Sequence, residues 1–193
     1  ETIIDWGDVW KYKLGTSEPP SSWKNLGFDD QLWTNGQSGF GYGDDDDSTI
    51  VPDNTNSVYI RKVFSIVDIN EIKNAILHVD YDDAFVAYLN GVEIARANIG
   101  TVGIPPTYNQ SATNYTEPLI IYGAKPEKFI LHNIENLFQN GDNVLAVQVH
   151  NYGTGSSDLT IIPFLTLGME TIPINPNGAN PLLDLPNSFL HTN

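Results

Sequence analysis

The chain has 193 residues, nine of them basic and 24 acidic, for a formal charge of −15 at pH 7. That length suits one domain with a sizeable core. Cysteine is absent, which removes disulfides, thiolate zinc sites and thiol nucleophiles together, and the acidic balance argues against nucleic acid, whose phosphates draw clustered Lys and Arg.

No apolar run approaches about 18 residues, so no membrane-spanning helix is expected. No basic segment followed by an apolar one opens the chain, so a signal peptide is expected to lie upstream or to have been removed. The excess of carboxylates favours hard cations such as calcium.

Residues 1–27 hold Ile3, Ile4, Trp6, Val9, Trp10 and Tyr12. Their alternation predicts one or two short strands. Ser17-Glu-Pro-Pro-Ser-Ser22 is a loop, because proline has no donor for a ladder. Residues 28–33 form a turn expected to bury Phe28, Leu32 and Trp33. The four tryptophans, Trp6, Trp10, Trp23 and Trp33, are assigned to the core. Residues 36–43 carry four glycines around Phe40 and Tyr42, and Asp44, Asp45, Asp46 and Asp47 follow without a break.

Residues 58–66 alternate Tyr59, Arg61 and Val63 against Ile60, Lys62 and Phe64, the pattern of a strand. Three apolar runs come next, at 76–79, 85–89 and 92–95. Asn90-Gly91 separates the last two. Both residues tolerate the positive φ that a type I′ turn requires, so this is the strongest hairpin signal in the chain. Asp82 and Asp83 end the first run and read as a bend. The expected order is strand, acidic bend, strand, tight turn, strand, in the middle of an antiparallel sheet.

Residues 97–128 are irregular, with Pro105, Pro106, Pro118 and Pro126 among Tyr108, Tyr115 and Tyr122. A loop of that length in a compact domain is usually functional. Residues 133–138 suit a short helical turn with Asn133 as its N-cap. Residues 144–149 form a clean strand, 153–158 a loop, and 159–167 a last strand in which Pro163 predicts an edge position or a bulge. Residues 169–193 are rich in Pro and Asn and read as a linker or the start of a following module. Many short strands and almost no helix give an all-β class. The architecture expected over residues 1–168 is an antiparallel β-sandwich of jelly-roll type.

Two segments carry a resemblance. They are Tyr81-Asp-Asp-Ala-Phe-Val-Ala-Tyr-Leu-Asn-Gly-Val-Glu-Ile-Ala-Arg96 and Gly141-Asp-Asn-Val-Leu-Ala-Val-Gln-Val-His-Asn151. Together they resemble the galactose-binding-like jelly roll, as in the sugar-binding domain of beta-galactosidase-type glycosidases. A Phe-Asp-Asp-x-x-Trp segment of those domains is matched at residues 28–33. The chain is also similar to a module of large secreted bacterial proteins. That module carries Gly-Tyr-Gly-Asp, Tyr-Asp-Asp-Gly, Tyr-Leu-Asn-Gly, Ala-Arg-x-Asn, and His with Ser-Ser-Asp-Leu. Here these fall at 41–44, 81–84, 88–91, 95–98, and His150 with 156–159, with Ala84 in place of a glycine.

The residues offer two sites. Asp44, Asp46 and Asp47 supply the oxygens a calcium ion wants, and a structural calcium is common in domains of the resembled fold. A solvated acidic loop is the alternative. Asp82, Asp83, Arg96, Asn98, His150 and Asp158 all fall at strand ends or in loops. They suit either sugar hydroxyls or an internal network tying loops to the sandwich, with Arg96 neutralising an aspartate. Tyr42, Tyr108 and Tyr152 lie in loops and have ring faces suited to sugars. No Gly-x-Ser-x-Gly or His-Glu-x-x-His motif occurs. The resemblance implies a non-catalytic carbohydrate-binding module of a secreted or cell-surface multidomain protein, with a polysaccharide or oligosaccharide and neighbouring domains as partners. A spacer without a sugar ligand is the alternative, and a small hydrolase or lyase is the third reading.

Overall fold

A computed structural model describes residues 1–169. Its strands are β1 (Thr2–Ile4), β2 (Val9–Leu14), β3 (Thr34–Gln37), β4 (Phe40–Tyr42), β5 (Thr49–Ile50), β6 (Ser57–Ile66), β7 (Ile72–Asp82), β8 (Ala84–Leu89), β9 (Val92–Ala97), β10 (Glu127–Leu131), β11 (Gly141–His150) and β12 (Leu159–Met169). One sheet runs β10-β7-β12-β4-β5, with β1 also paired to β12, and the other runs β3-β2-β6-β11-β8-β9. The pairings are antiparallel except that of β4 with β5. The fold is an all-β sandwich of jelly-roll type, as the patterning predicts. Among the described residues no helix is long and apolar enough to cross a membrane. The expected linker lies outside the described residues, apart from Met169.

Alternation builds the core. Leu77, Val79 and Tyr81 of β7 and Ile161 and Leu165 of β12 turn inward against Phe85, Ala87 and Leu89 of β8 and Leu145, Val147 and Val149 of β11. The second sheet is buried on its other face as well. Tyr59, Val86, Tyr88 and Ala146 lie beneath Trp23, Trp33, Ile99 and Ala112. Trp23 meets Tyr59 and Tyr88 edge-on at 5.0 and 5.8 Å between ring centroids, a geometry that adds to simple burial. Strands buried on both faces read as near-continuous apolar runs, which is how residues 85–89 and 144–149 read.

Arg61 is enclosed in this outer layer. Its Nε donates to Asp30 at 2.9 Å, and its Nη1 donates to the Trp23 and Asn25 carbonyls. Leu32, expected to be buried, is 100% exposed, and Trp6, assigned to the core, stands partly in solvent.

The bend at Asp82-Asp83 does not lie within one sheet. Asp82 ends β7 in the first sheet and Ala84 starts β8 in the second, so the bend carries the chain between layers. The hairpin after it forms as expected, with φ of 50° at Asn90 and 87° at Gly91. Pro163 is not at an edge, since β12 lies between β7 and β4. It falls between the residues that β4 engages (159–161) and those that β1 engages (165 and 166), where that side carries no partner strand. Asn133 makes no side-chain cap for the 3-10 turn at Ile134–Asn136. Its φ of 54° puts it in the left-handed region instead.

One rim gathers the ends of β2, β4, β7, β9 and β11 and the starts of β6, β8 and β12, as the register pairs His150 with Ser57 and Ala84, and Leu159 with Tyr42, show. The N-terminal ammonium donates to the Leu167 carbonyl at 2.6 Å, and Met169 pairs with Ile72. Both ends of the described chain therefore lie at the opposite rim.

Candidate functional site

The aspartate run folds over the outer face of the first sheet. Asp45 is exposed and takes a φ of 63°, turning the loop so that Asp44, Asp46 and Asp47 converge. Their carboxylate oxygens lie within 4.8 Å of one another. All three meet the buried hydroxyl of Thr160, at 3.3 Å from Asp44, 3.1 Å from Asp46 and 3.3 Å from Asp47. That hydroxyl has one proton and can serve one of them at a time. Asp46 Oδ2 and Asp47 Oδ1 are buried and without a donor.

Gly41 makes room for this arrangement. A Cβ there would sit 2.1 Å from Asp47 Oδ2 and 1.7 Å from the Leu159 carbonyl oxygen. Burial, then the Asp46 carboxylate, holds Asp44 up at about 7, and burial with Asp46 and Asp44 holds Asp47 at about 8. Buried carboxylate oxygens without donors, crowded by one another, are what a bound cation relieves. The residues fit calcium. They would supply three oxygen ligands of the about six to eight it takes, leaving positions for water.

Two buried aspartates of β7 and its bend hold the long irregular segment. Asp80 accepts the backbone N–H of Leu119 at 2.7 Å and of Ile120 at 2.9 Å. Asp83 accepts Thr116 N–H at 2.9 Å with one oxygen and Tyr152 N–H at 2.7 Å with the other. Asn98 donates to the Asp83 carbonyl at 2.9 Å and to the Thr116 hydroxyl at 2.6 Å. These bonds bring Tyr115 and Tyr152 together from separate loops. Their rings stack at 4.0 Å and 26°, and they remain 70% and 41% exposed. Because they stack on each other, each offers one outward face.

Asp82 behaves unlike Asp83. It is only 2% exposed, yet its Oδ1 has no hydrogen-bond partner. Its carboxylate lies within 4.8 Å of those of Glu117 and Asp158. Burial first, then the charges of Asp83, Asp158 and Glu117, raises it to about 9.

No family model matches the chain, and no curated protein does. Among solved structures it is similar to a beta-glucuronidase of glycoside hydrolase family 2, at 14% identity and a TM-score of 0.48, over 84% of this chain and 17% of that one. It is similar also to a calcium-binding mutant of Bacteroides uniformis beta-glucuronidase 2, at 16% identity and 0.49, over 86% and 18%. A third is a beta-glucuronidase from an uncultured Clostridium species, at 18% identity and 0.48, over 77% and 22%. This chain thus spans about a fifth of the length of those proteins.

Several expected residues stand elsewhere than the rim surface. Tyr42 is buried in the core, its hydroxyl donating to the Ser156 carbonyl and accepting from Asn151. His150 is fully buried, donating from Nδ1 to the Gln110 carbonyl at 2.9 Å and accepting at Nε2 from Gln148 at 3.0 Å. Desolvation pushes that ring down to about 4. A ligand on the rim does not reach either ring. Arg96 neutralises Glu93, not an aspartate, through two bonds at 2.9 and 3.0 Å, and its other donors meet the Ile99 and Ile104 carbonyls. Tyr108 is half-buried and lines a separate groove of about 360 Å³ with Pro52, Asn54 and Thr154. The rim brings together Asp44, Asp46, Asp47, Asp82, Asp83, Asn98, Tyr152 and Asp158.

Sequence reasoning noted Tyr115 among the aromatics but selected Tyr42, Tyr108 and Tyr152 over it, and it missed Thr160 and Glu117 as members of the site. Thr160 is brought to the site by the strand register, which sets it opposite Asp82 and Gly41. Nothing local pointed to Glu117.

Proposed function

We propose that this chain is a carbohydrate-binding module of a larger secreted or cell-surface protein, and that the rim around Tyr115 and Tyr152 holds the glycan. The observation that carries this reading is the exposed tyrosine stack, fixed by Asp83 and set beside carboxylates. Aromatic faces suit the C–H-rich faces of sugar rings, and nearby polar groups orient hydroxyls. The sequence resemblance to sugar-binding jelly rolls supports the same conclusion. Calcium at Asp44, Asp46 and Asp47 has a structural role in this reading, pinning the aspartate loop to Thr160. Binding without turnover would keep a polymer near a neighbouring domain and raise its local concentration.

A spacer module would need no exposed, fixed aromatic pair, and the rim supplies one. A hydrolase would need an acid that reaches the glycosidic oxygen. Asp82 has the raised pKa of such an acid but is almost wholly enclosed, so we read its carboxylate group as part of an ion site.

Affinity gel electrophoresis against plant, algal and bacterial polysaccharides, with calcium present, tests the proposal. Retardation by at least one of them, reduced in Tyr115→Ala, supports it. Uniform migration on all of them rejects it.

A further inference from the structure

We propose that Asp82, Glu117 and Asp158 form a second divalent-cation site, of the oxygen-seeking calcium type, distinct from the aspartate loop. The three carboxylates come from three elements: the end of β7, the long segment after β9, and the loop before β12. Their oxygens converge within 4.8 Å. Like charges that close repel strongly where water is thin, so the arrangement needs a positive charge or protons to persist.

Asp82 Oδ1 is the second and independent observation. It belongs to a side chain that is 2% exposed, and it accepts no hydrogen bond. A buried carboxylate oxygen left without a donor is costly, and native structures avoid it unless an ion or water fills the place. Donors on the adjoining segments are committed elsewhere, the Ser156 and Ser157 hydroxyls to Asp158 Oδ1 at 3.5 and 3.1 Å. Thr116 N–H and Tyr152 N–H both go to Asp83, the Asn98 amide to the Asp83 carbonyl and Thr116, and Arg96 to Glu93. The Asn151 amide goes to Tyr42 and to the Asp158 carbonyl.

The donor set selects the ion. It has oxygen alone and neither imidazole nor thiolate, which disfavours zinc and copper. Ligands from three separate segments suit calcium's flexible coordination better than the tight octahedron of magnesium. Burial falls from Asp82 to the exposed Glu117, so the site opens toward solvent. A cation there would tie the segment carrying Tyr115 to the bend between the sheets. The inference does not depend on glycan binding.

The test is calorimetric titration of the whole chain with calcium chloride alone, after chelator treatment. The wild type is expected to bind two ions. Glu117→Gln should lose one of them, with affinity at that site falling by about tenfold or more, while an Asp46→Asn/Asp47→Asn double variant retains it. Glu117 is exposed, so its replacement leaves folding intact. Asp158→Asn is a less clean variant, because Asp158 also acts electrostatically on Asp44. Tyrosine-sensitised terbium emission gives an independent reading and should drop in Glu117→Gln. No ion in the wild type overturns the proposal. So does a Glu117→Gln titration indistinguishable from wild type, or a double variant that binds nothing. Glycan retardation plays no part in these outcomes, so either proposal can fail alone.

Discussion

The Asp83 carboxylate holds Tyr152 by its backbone N–H at 2.7 Å and, through its other oxygen, the Thr116 N–H beside Tyr115. One buried side chain thus positions both halves of the exposed stack. Asp83→Asn keeps one acceptor and turns the other into a donor facing an N–H. The cost of an unsatisfied buried group is about 1–3 kcal/mol. Urea unfolding should show a loss of that order, and the tyrosine ring resonances should shift. Unchanged stability together with unchanged tyrosine signals would refute this role.

Tyr115→Ala and Tyr152→Ala should act differently. Tyr115 stands largely and Tyr152 partly in solvent, so melting temperature should move little. A stacked aromatic contact contributes about 0.5–1.5 kcal/mol. Affinity for the retained polysaccharide should therefore fall about three- to tenfold for either variant, measured by titration at fixed calcium. Affinity equal to wild type in both would place the glycan elsewhere.

Stability should depend on pH in a direction set by the carboxylates. Burial and mutual repulsion raise Asp44 to about 7, Asp47 to about 8 and Asp82 to about 9. An unfolded Asp titrates near about 4. Between those limits the folded chain keeps protons that the unfolded chain has released, so stability falls as pH rises. His150, held at about 4 by burial, works in the opposite sense, losing stability as pH falls from about 6.5. In chelator, the melting temperature should be lower at about pH 8.5 than at about pH 6. Calcium should raise it at both and more at the alkaline value, because a ligand of the native state stabilises it. Calorimetric scans that show no calcium effect at either pH would contradict the cation assignments.

Gly41→Ala tests how the aspartate loop is seated. The added methyl would meet the Leu159 carbonyl and the Asp47 carboxylate. Overpacking of this kind costs about 3 kcal/mol. The variant should unfold at lower urea and lose calcium affinity at that loop. Wild-type behaviour on both counts would show that the loop sits elsewhere.

Much of the fold was legible because its signals are local. Asn90-Gly91 announces its turn through two adjacent residues, and the aspartate run announces its own chemistry. What could not be read depends on distant partners. The runs on either side of Asp82-Asp83 look alike, and only the layer stacking shows that they belong to different sheets. Arg61 alternates like a surface residue, yet the loop carrying Trp23 and Asn25 closes over it and supplies acceptors. Tyr115 and Glu117 sit in a proline-broken stretch with no period of its own. Their positions follow from Asp80 and Asp83 capturing backbone amides far along the chain. Conversely, Tyr42 and His150 look exposed in sequence because each ends a strand, and the loops beyond cover them.

The placement of residue 1 beside Leu167, with residue 169 pairing near the start of β7, has a practical corollary. Residues 1 and 169 both lie at the pole remote from the tyrosines. A tag or tether joined ahead of residue 1 therefore starts at the far pole and leaves the tyrosines unobstructed, so protein immobilised through it should present them outward to a polymer in solution.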